Sequence, residues 1–245
     1  MKEFIYGRNP VYETLRAKRR QFFQLLVSEG AQEKGRLAEI IQMARAQKVQ
    51  VLSAPRKRMD KIAPNNQGVA LEVSSYPYHN VADFLDRAER RGEPLFVLLL
   101  DTLQDPQNFG TLLRTAESVG VHGVVIPLAR TAEITAAVVN ASSGASEHLL
   151  IAQANMAQAI ATLKEAGAWI IGLEGSDQAQ SPGAIRLDGA VGIVVGSEGS
   201  GMRPLVRKSC DLLMKLPMQG EIESLNAAVA GSVALYLAYL ARNKS

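Results

Sequence analysis

The alternation of apolar and polar positions divides the chain of 245 residues into two regions of different rhythm. Over residues 1–75 the two periodicities are mixed. Helical spacing follows Asn9-Pro10 and covers Arg36–Gln47, while short apolar runs at Phe22–Val27, Val49–Leu52 and Val69–Val73 predict strands. A basic stretch, Pro55–Lys61, and the turn-forming Pro64-Asn65-Asn66 separate the last two of these strands. An α/β module of this size can fold alone. Residues 76–94 carry Tyr76-Pro77, a short amphipathic helix near Val81–Arg90 and the turn Arg91-Gly92-Glu93-Pro94, and they read as a linker.

In residues 95–245 strand and helix signals alternate. Predicted strands are Leu95–Leu100, Gly123–Ile126, Trp169–Leu173, Val191–Val195 and Leu213–Leu216; predicted helices are Thr111–Val119, Glu133–Ser142, Met156–Ala166, Met202–Ser209 and Ser224–Leu240. Short strands that are apolar at nearly every position suit a parallel sheet covered by helices on both faces. Taken alone, the pattern predicts an unknotted doubly wound α/β fold, because true knots are very rare. The final helix is rich in Ala, Gly and Ser, a composition that allows close packing and suits a dimer interface.

Composition changes this picture little: 47% hydrophobic residues, 5% aromatic and a net charge of +3 permit nucleic-acid binding without requiring it. The distribution of charge says more, because Arg16, Lys18, Arg19 and Arg20, then Arg56, Lys57, Arg58 and Lys61, fall within the first quarter of the chain. That module is expected to face a polyanion. The single Cys210 cannot form an internal disulfide, no Cys/His spacing suggests a metal, and no apolar run reaches the ~18 residues of a membrane span. A cytoplasmic protein without metal is the expectation.

Three loops that follow predicted strands carry the candidate chemistry. The first strand ends in Asp101 and leads through TLQDPQNFG into a helix bearing Arg114, with Asn108 near the helix cap and Gly110 allowing close backbone approach. Strand Val191–Val195 runs into GSEGSGM, where glycines free backbone amides to cradle a ligand and Glu198 stands between them. Gly196, Gly199 and Gly201 do not make G-x-G-x-x-G, and no acidic residue ends strand Gly123–Ile126, so a nicotinamide nucleotide is disfavoured. The third loop, LPMQGEIESLN, brings Leu216, Pro217, Met218, Ser224, Leu225 and Asn226 to the start of the last helix, with Ser224 the expected cap. Loops of this kind at neighbouring strand ends imply one composite site.

NFGTLLRTAE, VVGSEGSGM and LPMQGEIESLNAA, in that order, resemble the three motifs of the SpoU (TrmH-like) RNA methyltransferases of the SPOUT superfamily. GRNPVYETL near the start resembles the ribosomal-protein-like RNA-binding domain that precedes the catalytic domain in ribosomal members. Among them the chain is most similar to the 23S ribosomal RNA guanosine-2′-O-methyltransferase group. One departure is Ala227-Ala228 after Asn226, where some members carry a second small polar residue.

The resemblance implies a C-terminal trefoil-knotted methyltransferase domain over residues 95–245, an N-terminal RNA substrate-binding domain over 1–75, a homodimer, and transfer of a methyl group from S-adenosyl-L-methionine to a ribose 2′-hydroxyl. It implies cofactor contacts at Gly196, Leu216, Leu225, Pro217, Met218 and Ser224, and catalytic parts for Arg114, Asn108, Glu198 and Asn226. A guanidinium is effectively always protonated, so Arg114 is expected to stabilise a developing alkoxide or grip a phosphate, leaving the base open. A transfer-RNA methyltransferase and a non-catalytic ribosome-assembly protein are the alternatives. Residues from about Leu95 onward are expected to hold cofactor without the basic module.

Overall fold

The computed structural model describes residues 2–129, 132–197, 199–222 and 224–243, which form two units. The first unit contains residues up to Pro77 together with Glu133–His148. Its sheet has the order β1 (Lys2–Tyr6), β4 (Val69–Ser74), β2 (Phe22–Ser28), β3 (Gln50–Ala54), with β2 parallel to β3 and β4 antiparallel to both of its neighbours. Strand β1 was not expected, because KEFIY is short and starts with two charges. It is defined by its pairing with β4, from Lys2 opposite Ser74 to Tyr6 opposite Ala70. Helices α1 (Arg8–Ala17), α2 (Arg36–Ala46) and α3 (Arg56–Ile62) complete the unit's N-terminal part. The basic stretch is thus a helix: Met59 is fully buried against Leu26, Ala54 and Ala70, while Arg56, Lys57, Arg58 and Lys61 stay exposed.

The other basic cluster is only in part the polyanion-facing surface expected of it, because Arg20 is buried. Arg16 and Lys18 are exposed, but the Arg20 guanidinium is buried and forked onto Glu147, with Nε to Oε2 at 2.9 Å and Nη2 to Oε1 at 2.7 Å. Its Nη1 donates to Glu3 at 2.6 Å and to the Ser74 carbonyl at 3.1 Å. Burial opposes the charge, but hydrogen bonds and proximity to Glu147 and then Glu3 more than offset it, and the pKa of Arg20 is raised. Glu147 lies in the 3-10 turn Ala145–His148, within the segment 133–148 by which the chain returns to the first unit. That segment is tied down further by Asn140 Nδ2 on the Tyr6 carbonyl at 3.2 Å and by His148 Nε2 beside Glu13 at 2.7 Å. The boundary expected at residue 75 is therefore incomplete: the first unit also takes in residues 133–148, held by ion pairs more than a hundred residues apart in sequence.

The second unit comprises Tyr78–Ala132 and Leu149 onward. The segment read as a linker belongs to this unit's core. Helix α4 (Ala82–Arg91) buries Phe84 completely, and Phe84 lies flat on Gly123, where an added Cβ would come within 2.3 Å of the ring. The apolar spacing Val81, Phe84, Leu85, Ala88 makes one buried stripe, and this decides the helix's place over its polar flanks. Six parallel strands follow, β5 (Phe96–Leu100), β6 (Gly123–Pro127), β7 (Ile151–Ala154), β8 (Trp169–Leu173), β9 (Val191–Val195) and β10 (Leu212–Met214), in the order β10-β8-β9-β5-β6-β7. Strand β7 was also missed; QAN after its two apolar residues gives too short a run. All five residues of β5, β6 and β9 are buried.

Helices α5 (Pro106–Ser118), α6 (Ala136–Ala141, in the first unit), α7 (Met156–Glu165), α8 (Pro204–Ser209) and α9 (Ala227–Arg242) complete the chain. From the edge strand β10 the chain returns to pack α9 on α5 and β9. Gly231 permits this: an added Cβ would meet Leu112 at 2.5 Å and Val195 at 3.0 Å. Thr115 and Ser232 hydroxyls bond across the same contact at 2.9 Å.

His122 is buried at the entrance to β6. The Phe96 amide donates to its Nδ1 at 2.9 Å, which places the proton on Nε2, facing Glu93 at 3.0 Å. Burial lowers the pKa of His122, with Glu93 opposing that shift in part. The folded protein therefore favours the neutral ring. Its contribution to stability is full above the ordinary His pKa of ~6.5 and is lost as pH falls below it, because the unfolded chain then binds the extra proton. The melting temperature should fall between about pH 6.5 and pH 5. In His122→Gln this fall should be smaller; an identical pH profile for both proteins would remove His122 as its source.

Candidate active site

The C-terminal ends of β8, β9 and β10 open onto one cavity of about 660 Å³. Its wall after β9 is the loop from Gly196 to Met202. Ser197 and Gly201 exchange backbone hydrogen bonds at 3.1 and 3.0 Å, with Gly199 and Gly201 at positive φ, so the loop turns back on itself within a few residues. Gly196 lies against that return: a Cβ there would stand 2.3 Å from the Gly201 carbonyl carbon and 2.4 Å from the Met202 nitrogen. Only glycine fits, because the obstacle is backbone and cannot rotate away. The opposite wall is the loop leading to α9, with Leu216, Met218, Ser224, Leu225 and Asn226. Leu173, Glu174 and Gly175 at the end of β8 supply the third side.

Five of the six expected cofactor residues, Gly196, Leu216, Met218, Ser224 and Leu225, thus line one cavity, and Pro217 does not. Asn226 lines it as well. Asn226 rather than Ser224 caps α9, with Oδ1 accepting from the amides of Ala228 at 2.9 Å and Val229 at 3.2 Å. The amide nitrogen of the same side chain donates to Asn108 Oδ1 at 3.1 Å. This bond joins the first and third loops. At α5 the cap is Asp105, whose carboxylate accepts from the amides of Gln107 and Asn108, so Asn108 is free of that task and occupies the first turn. Arg114 is exposed on α5, six residues past Asn108, and lines no cavity of its own chain described here. Glu198 lies outside the described residues.

Two carboxylates at strand ends were left without a role in the sequence. Asp101, directly after β5, is fully buried and accepts from Arg203 Nε at 2.7 Å and from the Arg203 amide at 2.8 Å, with Nη2 at 2.6 Å. It fastens the first loop to the second. Glu174, directly after β8, pairs with Arg207 at 2.6 and 2.9 Å at the cavity wall, and the Arg207 hydrogen bonds hold its carboxyl below the usual range. The available signal was position: each is the first acidic residue beyond an apolar strand, where ligands of open α/β sheets collect. Cys210, beside Gly172, is a packing residue; burial pushes its thiol up to about 12.

Two family matches place this fold and cavity among the S-adenosylmethionine-dependent RNA methyltransferases of the SPOUT class. Residues 95–236 match the SpoU rRNA Methylase family, and residues 4–79 match the RNA 2′-O ribose methyltransferase substrate-binding family. The chain belongs to the SpoU (TrmH-like) family of RNA 2′-O-methyltransferases. It is 38% identical over 245 residues to YacO of Bacillus subtilis (strain 168), named as a TrmH family tRNA/rRNA methyltransferase, covering 98% of this chain and 96% of that one. Its fold is similar to that of the SpoU methyltransferase AviRb from Streptomyces viridochromogenes in complex with AdoMet, with a TM-score of 0.82 and 20% identity over 100% of this chain and 91% of that one. The TrmH/SpoU tRNA modifying enzyme of A. aeolicus, at a TM-score of 0.56 and 24% identity, covers 67% of this chain and 85% of its own.

Proposed function

We propose that this enzyme methylates the ribose 2′-hydroxyl of a guanosine in 23S ribosomal RNA. The observation that carries this reading is the first unit: a substrate-binding family match over 4–79, with α3 presenting four exposed cations on a helix anchored by Met59 and Ile62. Cations so placed neutralise RNA phosphates and release counterions without disturbing a core. The transfer-RNA modifying relative lacks a counterpart to a third of this chain, which favours ribosomal over transfer RNA.

The cavity fits the cofactor. Its walls offer loop backbone at Gly196, Leu216 and Leu225, a glycine where any Cβ would strike backbone, and apolar side chains at Leu173, Met202 and Met218. When bound, S-adenosylmethionine supplies a methyl group on a positively charged sulfur. The protein's own part is positional: Asn226 and Asn108 fix the ribose side of the cavity, and Arg114 stabilises the oxygen that loses its proton or holds the neighbouring phosphate. Glu198 is the carboxylate we assign to orienting Arg114 or to taking that proton.

A homodimer is part of this proposal. On α9 and the loop before it, Leu225, Val229, Val233, Tyr236 and Leu240 recur every three or four residues and are each 41% to 54% exposed. That makes one apolar stripe along the helix, opposite its packed face of Ala227, Ala228, Gly231, Ala234, Leu235 and Ala238. A contiguous apolar stripe of this kind marks an interface. Since Arg114 is exposed on α5 and lines neither of the two cavities described above, the second copy is expected to bring its Arg114 to the cofactor cavity. Light scattering should give twice the 26.4 kDa of one chain, and Val233→Glu should give monomers that no longer transfer methyl. An active monomer would end the dimer proposal.

The functional test is methyl transfer from labelled S-adenosylmethionine to unmodified ribosomal and transfer RNA, followed by digestion to nucleosides. Label in 2′-O-methylguanosine of large-subunit RNA is the expected outcome; label in transfer RNA alone would replace the ribosomal reading.

A further inference from the structure

A second cavity, of about 490 Å³, lies on the other side of the Gly196–Met202 loop and shares Ser197 and Ser200 with the cofactor cavity. Its remaining polar wall is Thr102, Gln104, Asp105 and Arg203. Thr102 sits at a φ of 62°, a left-handed conformation uncommon for a β-branched residue, so the chain bends sharply where β5 meets this wall. Arg203 is 43% exposed while its partner Asp101 is fully buried. Three contacts to one carboxylate, through Nε, Nη2 and the backbone amide, fix the guanidinium plane, and Nη1 has no hydrogen-bond partner among the described residues. A donor held rigidly at a cavity edge by a fully buried carboxylate is organised in advance for a ligand acceptor.

We propose that this cavity receives the base of the target nucleotide and that Arg203 and Asp105 read it as guanine. The proposal rests on the reading of the neighbouring cavity as the methyl-donor site, and it supplies what that reading lacks, a means of choosing the nucleotide. A phosphate suits the cavity poorly, because the Asp105 carboxylate stands in the same wall as Arg203 and would repel it. A neutral heterocycle with donors and acceptors suits it well. Arginine donates to a base acceptor such as a carbonyl oxygen or ring nitrogen, and a carboxylate accepts from N–H groups. Of the four bases, guanine alone places two adjacent N–H donors beside a carbonyl oxygen on its pairing edge. Asp105 has acceptor capacity for this while capping α5, since each carboxylate oxygen accepts only one amide there, at 3.3 and 3.0 Å. Gln104, which is exposed, can donate or accept beside them.

The test uses the full-length enzyme and RNA oligonucleotides carrying the mapped methylation site with guanosine or inosine at the target. Inosine keeps the carbonyl oxygen and N1–H of guanine and lacks the 2-amino group. Asp105→Asn keeps the helix cap, because Asn caps as well as Asp, but weakens the acceptor. Arg203→Lys keeps the charge opposite Asp101 and removes the fork. Both variants should bind S-adenosylmethionine with wild-type affinity and lose about tenfold or more in kcat/KM for the guanosine RNA. Inosine should cost the wild type a similar factor and cost Asp105→Asn nothing further, a coupling that a merely structural role for Asp105 would not produce. A target mapped to another nucleotide, equal use of inosine and guanosine by the wild type, or equal inosine penalties in wild type and Asp105→Asn overturns the proposal. Wild-type enzyme that binds cofactor but transfers methyl to no RNA overturns the functional reading itself, and this inference with it.

Discussion

Arg114→Ala should lower methyl transfer by at least about a hundredfold while leaving cofactor affinity and melting temperature close to wild type. Arg114 is exposed on α5, away from the helix's buried face of Phe109, Gly110, Leu112, Leu113 and Ala116, so its loss opens no cavity. It lines neither of the two cavities of its own chain, so S-adenosylmethionine should bind unchanged. The effect should fall on the step in which the ribose oxygen gains charge, where a fixed cationic donor stabilises the transition state more than the ground state. Calorimetric titration with S-adenosylmethionine beside a single-turnover transfer assay separates the two quantities. Turnover near wild type would remove Arg114 from the mechanism, and a parallel loss of cofactor binding would move it to the cofactor cavity.

Arg20→Ala should be among the most destabilising single changes in the chain, at about 3–5 kcal/mol, because it leaves the carboxylate of Glu147 buried without its partner. Glu147 is 1% exposed and receives both prongs of the Arg20 fork. Glu3, which contacts the same guanidinium, also accepts the backbone amide of Ala136 at 3.1 Å, so the loss spreads to the residues beginning α6. Arg20→Ala/Glu147→Leu should recover much of the loss, since removing both charges costs far less than removing one. Denaturant unfolding of the four proteins of this cycle measures the coupling. A loss below about 1 kcal/mol for Arg20→Ala would mean that the pair is open to water in solution. A chain beginning near Glu93 carries the same defect in larger form: it keeps Glu147, Asn140 and His148 and deletes Arg20, Tyr6 and Glu13, their partners. The catalytic half should therefore not reach full stability without the basic module.

The sequence by itself determined the features that depend on neighbours in the chain. Apolar runs of four to six residues located β5, β6, β8 and β9, because a strand with both faces covered is apolar at nearly every position. The three loops stood out since glycines and amide side chains after such strands have few other uses, and the cavity is built from them. Tertiary structure decided what depends on distant partners. KEFIY became a strand only through its ladder to β4, and Val81–Arg91 became core because Phe84 found the bare backbone of Gly123. Arg20 looked like its basic neighbours until Glu147, 127 residues away, made it a buried structural charge. Asp101 and Arg203 are likewise separated by 102 residues, so their pairing leaves no local pattern. Hydrophobic periodicity is a property of each segment alone; the pairing of buried charges and the fit of a ring to a glycine are properties of two surfaces, which come together only when the chain closes.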